Sequence, residues 1–253
     1  MDIETVNRGL VPAIEKARAM IMAGEVLVDG QVVIKADTRI TKTQVLSLKE
    51  KLPYASRGAL KIENAFNSFG ITPKGLKALD IGISTGGFSD YMLKNGAAHV
   101  VGVDVNIQQV DQQLRNNPKL TLIKENARLI TPQLIGIEPD IITIDVSFIS
   151  IARILPALTP FKNARIISLI KPQFEAKPWD VDEGGIVRDP QKRMQTLLHL
   201  KQQIEALDFS ITGFTSSGIK GRKGNREYFF LLEYRKKASI NDTIITDAIK
   251  LEL

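Results

Sequence analysis

The sequence predicts an α/β protein, with a mostly parallel sheet covered by helices on both faces and a small α+β module before it. From about Ser56 onward, short apolar runs alternate with helical segments, which is typical of β–α–β units. The first fifty residues instead combine helical spacing with one strong hairpin signal. A glycine-rich turn follows the first apolar run of the larger region, where open parallel sheets bind their ligands.

The composition excludes several classes of protein. With 253 residues, 43% hydrophobic and 25% charged, the chain is an ordinary globular one, long enough for a large and a small domain. It has no cysteine, which excludes disulfides, cysteine nucleophiles and thiolate metal sites, and we expect no bound metal. No apolar run approaches the ~18 residues that span a bilayer, and the start lacks a signal-peptide pattern. We therefore expect a cytoplasmic protein without a membrane partner.

The N-terminal module is predicted over residues 1–50. The stretch AIEKARAMIMAG has apolar residues at helical spacing and ends at Gly24, a residue type that often follows a helix. The next stretch, EVLVDGQVVI, consists of two alternating runs around Asp29-Gly30, a dipeptide that favours a hairpin turn. Residues 51–58 are charged and contain a proline, which indicates a linker.

The larger domain is predicted over residues 59–238, followed by a tail at 239–253. It opens with RGALKIENAFNSFG, an amphipathic helical pattern closed by Gly70. Two further helical stretches are GFSDYMLKNG and PQKRMQTLLHLKQQIEALDF. The predicted strands are KALDIG, HVVGVDV, LTLIKEN, DIITIDVSF, ARIISLIKPQF and REYFFLLEY.

The turn after the first predicted strand, GISTG at residues 82–86, permits two interpretations. It fits the G-x-S-x-G elbow of a hydrolase, with Ser84 as nucleophile, and it fits a backbone cradle for a nucleotide-type cofactor. The hydrolase needs a histidine at the strand tips, but His99 opens a strand and His199 lies within a long predicted helix. We therefore interpret the turn as a cradle.

Two acidic residues accompany this cradle. Asp80 ends the strand before it, and Asp104 ends the next strand, at a spacing where an acidic side chain accepts the hydroxyls of a cofactor ribose. Ser84 stands where a dinucleotide fingerprint has glycine, and the turn lacks the lysine of a P-loop. S-adenosyl-L-methionine carries cationic groups and no phosphate, so Asp80 suits it, although another nucleotide-like ligand fits the same spacing.

Two oppositely charged residues end later strands. Asp145 follows the run DIITI and Lys171 follows ARIISLI. Taken singly, each is the ordinary point where a strand meets water. Because the carboxyl ends of parallel strands meet at one edge, however, both are expected in the crevice beside the glycine turn, and together they are candidates for chemistry.

A series of ordered stretches between Ser56 and Leu232 carries a family resemblance: SRGALKIENA, LDIGISTGGFSD, VDV, ENAR, DVSFIS, ILPAL, KPQFEA, GGIVRDP and GNREYFFLL. On these stretches the chain resembles the TlyA family, first named as hemolysins and understood as ribosomal RNA 2′-O-methyltransferases with an FtsJ-like catalytic domain. The resemblance implies a Rossmann-like methyltransferase fold, S-adenosyl-L-methionine as cofactor, and ribosomal RNA or ribosomal subunits as partner. The N-terminal module is similar to a small RNA-binding fold of a ribosomal small-subunit protein.

The resemblance also implies the site residues. The family's Lys-Asp-Lys-Glu tetrad corresponds to Lys61, Asp145, Lys171 and Glu227. A ribose hydroxyl is a poor acid, so Lys171 is implied as base or orienting group, with Asp145 beside it. Lys61 and Glu227 then complete the hydrogen-bond network and position the ribose. The implied cofactor-binding residues are Asp80, Gly82, Ser84, Gly86, Gly87, Phe88, Asp104 and Asn126.

The positive charge is densest between Ser216 and Lys237, where seven basic residues stand beside two acidic ones. Such a cluster fits a phosphate backbone, and it also fits a solvated loop. On the first interpretation, RNA contacts are expected from a group of four basic residues at its start: Lys220, Arg222, Lys223 and Arg226.

Two other functions remain as alternatives to the enzyme. Asn106 and Gln108 stand where the family carries glycines beside the proposed cofactor, so a catalytically weakened homologue that binds RNA or ribosomes is the first alternative. A membrane-lysing protein, as the family's old name suggests, is the second. It lacks support, because the sequence has no spanning segment and no strongly amphipathic cationic helix.

Overall fold

The structure is a computed structural model that describes residues 1–49, 52–221, 223–235 and 238–252. The chain divides into two compact units, Met1–Pro53 and Tyr54–Leu253. These bounds differ from the predicted module (1–50) and linker (51–58), because residues 54–58 are held by the larger unit. The backbone N–H of Ala55 donates to the carboxylate of Asp90 at 2.8 Å, and the Tyr54 ring lies 5.9 Å from that of Tyr91.

The smaller unit contains helices and strands, in agreement with the α+β prediction. Its hairpin turns at Asp29 and Gly30, whose φ angles of 50° and 80° suit this turn type, and pairs Val28 with Gln31. A third strand, missing from the prediction, pairs antiparallel with the first strand of the hairpin. The elements are α1 (Asp2–Asn7), α2 (Ile14–Met22), β1 (Val26–Val28), β2 (Gln31–Val32) and β3 (Leu46–Leu48).

The larger unit alternates helices and strands, and all six predicted strands form. Its elements are α3 (Gly58–Ser68), β4 (Lys77–Ile81), α4 (Gly87–Lys94), β5 (His99–Asp104), α5 (Gln112–Arg115), β6 (Leu120–Lys124), α6 (Pro132–Ile135), β7 (Ile141–Ile144), α7 (Leu155–Leu158), β8 (Arg165–Ile170), α8 (Pro172–Glu175), α9 (Pro190–Glu205), β9 (Phe209–Ser216), β10 (Tyr228–Tyr234) and α10 (Asp242–Lys250).

Over the described residues, the larger unit has one seven-stranded sheet in the order β6-β5-β4-β7-β8-β10-β9. Neighbouring strands are parallel from β6 to β8, whereas β10 is antiparallel to both β8 and β9. The chain leaves β4 toward β5 on one side and later returns to β7 on the other side. Ligands bind such sheets at the carboxyl ends of the strands where this reversal occurs.

Apolar side chains cover both faces of the sheet. Residues of β10 alternate between the two layers, so Phe229 belongs to one hydrophobic cluster and Phe230 to the other. Helices α3 and α4 complete the first cluster, and α7, α9 and α10 complete the second. Because both faces are buried, the sheet is a fixed platform for the loops at its carboxyl edge.

Two features near the C-terminus differ from the prediction. The prediction extends the long helix through Phe209, but α9 ends at Glu205 and β9 starts at Phe209. Asp208 takes a φ of 63° between them, a left-handed conformation that ends the segment without a glycine. The predicted tail at 239–253 is part of the larger unit, since α10 buries Ile245 and Ile249 in its core.

The described ranges lack two kinds of feature. None of their helices combines the length and apolarity that a membrane span requires. In the same ranges, His, Asp and Glu side chains form no group of three or more that could hold a metal ion.

Candidate active site

The glycine turn between β4 and α4 has a backbone that side chains rarely adopt. Gly82, Ser84 and Gly86 have φ angles of 82°, 48° and 96°. A Cβ on Gly82 would overlap the carbonyl oxygen of Asp145, so the turn passes directly against the end of β7. A Cβ on Gly86 would meet only the end of the Leu114 side chain, which can move aside. Glycine is therefore required at position 82 by close approach and by φ, and at position 86 by φ.

Asp80 lies beneath this turn with 1% of its surface exposed. Its Oδ2 accepts a hydrogen bond from the Ser89 hydroxyl at 2.6 Å, and its Oδ1 accepts one from the Thr143 hydroxyl at 2.7 Å. Burial raises the pKa of Asp80 from 3.8 to about 6, and the two hydrogen bonds offset part of that rise. A cation placed beside this carboxylate would be stabilised by it.

Asp104 and Asn126, both predicted to hold the cofactor, serve the local backbone. Asp104 accepts the N–H of Ser84 and the N–H of Asn106, each at 2.9 Å, and so connects the glycine turn to the loop after β5. Asn126 accepts the N–H of Arg128 at 3.0 Å, just after β6. Each carboxylate oxygen of Asp104 retains a second lone pair for a further donor.

A cleft of about 630 Å³ opens at the carboxyl edge of the sheet. It is a typical size for a small-molecule site. All four residues of the predicted tetrad line it, although they come from α3, from the ends of β7 and β8, and from the segment entering β10. The predicted cofactor residues in its lining are Asp80, Gly82, Ser84, Gly87 and Phe88.

The tetrad is arranged as two ion pairs, of which the first joins the ends of β7 and β8. Lys171 Nζ lies 2.6 Å from Asp145 Oδ1 and donates to Ser147 Oγ at 3.0 Å. Oδ1 of Asp145 is buried and accepts no hydrogen bond from the described residues, so the Lys171 ammonium is its charge partner. The Lys171 side chain is 12% exposed, and its ammonium lies 5.9 Å from the centre of the Phe174 ring.

The second ion pair joins the first turn of α3 to the start of β10. Lys61 Nζ donates to Glu227 Oε2 at 2.6 Å, across 166 residues of sequence. Both side chains are largely buried, with 14% and 4% exposed. The backbone turn at Gly221 covers Glu227 so closely that a Cβ there would overlap its carboxylate. Charge-paired side chains of this kind are held in one geometry, which suits a reaction that needs fixed donors and acceptors.

The basic residues predicted to contact RNA separate in the structure. Lys223 is exposed and lines the cleft, while Lys220 is exposed outside the cleft lining. Arg226 turns toward the C-terminal segment, where its Nε lies 3.5 Å from Glu252 Oε2. Arg222 lies outside the described residues.

The structure also places Phe88 and the two histidines, which the sequence analysis considered, relative to the cleft. Phe88 is 3% exposed and packs 6.0 Å from Phe229, so it is a core residue that also forms part of the cleft wall. His99 is bonded to Thr121 and His199 to Gln203, and both histidines are outside the cleft lining. Among the described residues, Ser84 therefore has no histidine beside it in the cleft, which argues against the hydrolase interpretation.

The sequence analysis did not predict two residues that line the cleft. Phe148 is 89% exposed with a φ of 64°, a rare conformation for an aromatic residue, and its ring lies 4.9 Å from that of Phe174. A phenylalanine among serines directly after a buried strand was the available signal. Asn225 is 4% exposed and bonds to a distant loop; it stands in the matching stretch GNREYFFLL, but no role was assigned to it there.

Comparison with known proteins agrees with this geometry. The model of the family described as FtsJ-like methyltransferase matches residues 54–234. The chain is 37% identical to the 16S/23S rRNA (cytidine-2′-O)-methyltransferase TlyA of Mycobacterium tuberculosis, over 98% of this chain and 95% of that one. It is 39% identical to Hemolysin A of Brachyspira hyodysenteriae, over 88% and 94% of the two chains.

A solved structure of a protein named as a hemolysin, from Streptococcus thermophilus, superimposes with a TM-score of 0.78 at 34% identity. The match covers 99% of this chain and 94% of that one. The resemblance inferred from the sequence is thus confirmed over nearly the whole length. This chain belongs to the FtsJ-like methyltransferase family and, within it, to the TlyA group.

Proposed function

We propose that the chain transfers a methyl group from S-adenosyl-L-methionine to a ribose 2′-hydroxyl of ribosomal RNA. The observation that carries the proposal is the meeting of two lysine–carboxylate pairs in one cleft, beside a glycine turn. The substrate class comes from the relative in Mycobacterium tuberculosis, whose name specifies the 2′-oxygen of cytidine in 16S and 23S rRNA. A ribosomal substrate also favours a cytoplasmic location.

The residues around the turn fit the proposed cofactor. Gly82, which lines the cleft, lets the backbone pass close to the end of β7, and Gly86 provides the left-handed conformation that completes the turn. Asp80 supplies a buried carboxylate for a cationic group, and such a group beside it would lower the pKa that burial raises. Asp104 keeps acceptor capacity for ribose hydroxyls at the end of β5.

The cofactor supplies, when bound, a methyl group made electrophilic by the attached sulfonium. Lys171 orients the ribose hydroxyl, and the Lys171–Asp145 pair, 2.6 Å across, takes up the proton that the hydroxyl loses as the methyl group is transferred. Ser147 holds the lysine from a second direction at 3.0 Å, so its nitrogen is directed rather than free to rotate. In this role Lys171 is the base or, at the least, the group that orients the hydroxyl.

Lys61 and Glu227 position the ribose. Their 2.6 Å contact is buried, and a buried pair keeps its geometry because each partner would be costly to leave alone. Fixed donors on both sides of a hydroxyl align it with the methyl group, and alignment of this kind supplies a large part of many rate accelerations.

The cleft also offers groups for the rest of a nucleotide. Phe148 presents an exposed ring at the rim, suited to stacking on a nucleobase. Lys223 adds a positive charge for a phosphate. The N-terminal unit is the proposed RNA-binding module. Since residues 1–50 hold equal numbers of acidic and basic side chains, it is expected to recognise shape rather than to supply a positive field.

The test is methyl transfer to purified ribosomal subunits and to protein-free RNA, followed by mapping of the modified nucleotide by mass spectrometry. We expect the methyl group on a ribose 2′-oxygen. A synthetic RNA carrying a 2′-deoxy nucleotide at the mapped position should accept no methyl group. Methylation of a base, or equal transfer to the deoxy substrate, would refute the proposal.

Calorimetric titration with the cofactor separates the enzyme from a homologue that has lost catalysis. The enzyme requires a cofactor Kd in the micromolar range, which corresponds to a binding free energy of about 8 kcal/mol. Ribosome binding without cofactor binding and without transfer would favour the non-catalytic homologue.

A further inference from the structure

The segment that enters α9 forms a tight turn at the cleft, here called the glycine loop (residues 182–188). Gly184 and Gly185 have φ angles of 86° and 76°, and Gly185 lines the cleft. The N–H of Asp182 donates to the carbonyl of Ile186 at 2.8 Å, which closes the turn on itself. The loop lies outside the seven-stranded sheet, so its position depends on the side chains that hold it.

Asn225 holds the glycine loop with both ends of its amide. Its side-chain oxygen accepts the N–H of Val187 at 3.1 Å, and its side-chain nitrogen donates to the carbonyl of Gly185 at 2.8 Å. One bond needs an acceptor and the other a donor, so the pair fixes which way the amide points. The residue is 4% exposed and stands two positions before Glu227.

The backbone of Asn225 holds a second turn. Its carbonyl accepts the N–H of Gly221 at 2.9 Å, which closes the turn that carries Lys223. A Cβ on Gly185 would stand 3.9 Å from Lys223 Nζ, so the two turns lie side by side. Asn225 therefore joins the glycine loop and the Lys223 turn into one wall of the cleft, over Glu227.

Arg193 secures the same loop from the opposite side. Its Nη1 donates to the carbonyls of Val187 at 3.2 Å and Arg188 at 2.6 Å. The guanidinium is in turn bonded to Tyr228 and to Glu252, which anchors it to β10 and to the C-terminal segment. With one end of the loop already fixed by Arg193, the contribution of Asn225 is concentrated on Gly185, the residue that faces the cleft.

We infer that Asn225 is a positioning residue for the methyl acceptor. The inference rests on the proposed function. The wall that Asn225 holds lies beside Glu227 and Lys223, which are proposed to position the ribose and to bind a phosphate. Asn225 touches neither the reacting atoms nor the glycine turn of the cofactor. Loss of its side chain releases Gly185, which packs beside Lys223, and so weakens the hold on the RNA, while Lys171 and Asp145 keep their contact.

The first experiment compares the wild type with Asn225→Ala on ribosomal subunits as substrate. We expect the KM for RNA to rise about fivefold or more, with kcat and the cofactor Kd changed less than about twofold. A role in folding alone would instead lower the active fraction, and with it the apparent kcat and the number of cofactor sites, and leave the KM for RNA unchanged. Asn163→Ala is the matched control, since the Asn163 amide makes one surface bond, to Glu138, at the opposite edge of the sheet.

Hydrogen exchange supplies a readout that needs no turnover. In Asn225→Ala the amide of Val187 loses its acceptor, so we expect its exchange to be about tenfold faster or more, while the amides of the sheet stay protected. Asn225→Asp retains that acceptor and loses the donor to Gly185. It should keep Val187 protected and still raise the KM, which provides a second variant if the alanine variant folds poorly.

These experiments distinguish a failure of the inference about Asn225 from a failure of the proposed function. A wild type that transfers no methyl group refutes the proposed function, and the inference is then judged by exchange and by the RNA Kd. Unchanged exchange at residues 185–188, or an unchanged KM and RNA Kd, overturns the inference in an otherwise active enzyme. Faster exchange with weaker RNA binding supports it in either case.

Discussion

The two halves of the cleft are built from different materials. The half between β4 and β5 is made of backbone, where Gly82 allows close approach, Gly86 provides a left-handed conformation and Asp104 ties two loops together. The half between β7, β8 and β10 is made of charged side chains, paired as Lys171–Asp145 and Lys61–Glu227. The first half should be sensitive to any added atom, and the second to any lost charge.

The difference follows from what each half is proposed to do. The nucleoside part of the cofactor takes no part in the reaction and needs only a surface, which backbone in a fixed turn provides. A hydroxyl that must lose a proton needs groups that change their interactions during the reaction, and side chains provide them. Four substitutions, in decreasing order of expected effect, test this division.

The largest effect is expected from Lys171→Ala. Without the lysine that orients the ribose hydroxyl and pairs with Asp145, turnover should fall about 10²–10⁴-fold. The cofactor Kd should change little, because Lys171 belongs to the side-chain half. Single-turnover kinetics measure the first effect and calorimetry the second. Lys162→Ala, an exposed lysine that precedes β8, is the control. Unchanged turnover in Lys171→Ala would remove the mechanism proposed here.

The second test separates the catalytic from the structural role of the pair Lys61–Glu227. Glu227→Gln leaves the Lys61 ammonium without its partner, and we expect turnover to fall about 10–100-fold and the stability to fall by about 1–3 kcal/mol. The double variant Lys61→Met/Glu227→Leu replaces the pair with apolar groups and should recover stability. If it also recovered turnover, the pair would be structural rather than catalytic. Thermal unfolding and kinetics together decide.

The third test addresses the backbone half. Gly82→Ala places a Cβ against the Asp145 carbonyl at a φ of 82°, so the turn must shift. We expect the cofactor Kd to rise about tenfold or more and the stability to fall by about 1–3 kcal/mol. Gly75→Ala has a similar φ of 78° with open space around it. Gly75→Ala should lower the stability through its unfavourable φ and leave the cofactor Kd unchanged. An equal cofactor Kd in Gly82→Ala and Gly75→Ala would contradict the argument.

The smallest effect concerns pH. A folded-state pKa of about 6 for Asp80, against an ordinary 3.8, means that the folded protein holds this proton more tightly than the unfolded chain. A cationic group beside the carboxylate favours its ionised form. The cofactor should therefore bind more weakly as pH falls through about 6, by up to about tenfold per pH unit. Calorimetry across this range measures the effect.

Asp80→Asn is the matching control for the pH prediction. It should bind the cofactor more weakly at pH 7 and should lose the pH dependence. The same proton also affects stability. Because the pKa is raised in the folded state, the free energy of unfolding should fall as pH rises from 3.8 to about 6, and this fall should be absent in the variant. An unchanged pH profile in Asp80→Asn would assign the titration to another group.

Much of the fold could be predicted because local patterns agree with it. Asp29-Gly30 formed its hairpin, and each apolar run taken as a strand of the larger domain became one. Strand β9 was missed because its sequence, FSITGFTS, is short of branched apolar residues and follows a helix with no glycine or proline between them. Strand β3 was missed because three residues pair with a distant segment, which spacing does not reveal.

The site could be predicted in part. Asp145 and Lys171 were placed at one sheet edge by strand alternation, but Lys61 and Glu227 came from the family resemblance, since a helix lysine and a strand-start glutamate look ordinary. The spacing of Asp104 suggested a ligand contact, whereas its carboxylate also binds two backbone N–H groups. Asn225 could not be predicted, because its importance depends on a loop forty residues earlier that only folding brings near.

The reversed direction of β10 has a consequence for how the substrate range can change. Since β9 and β10 are antiparallel neighbours, Ser216 pairs with Tyr228, and the intervening segment is a hairpin connection at the cleft. A hairpin connection can be lengthened, shortened or exchanged without altering any strand order. Because this connection ends with Asn225 and Glu227, a graft between relatives that keeps these two residues changes only the proposed RNA-facing part and leaves the methyl-donor side untouched.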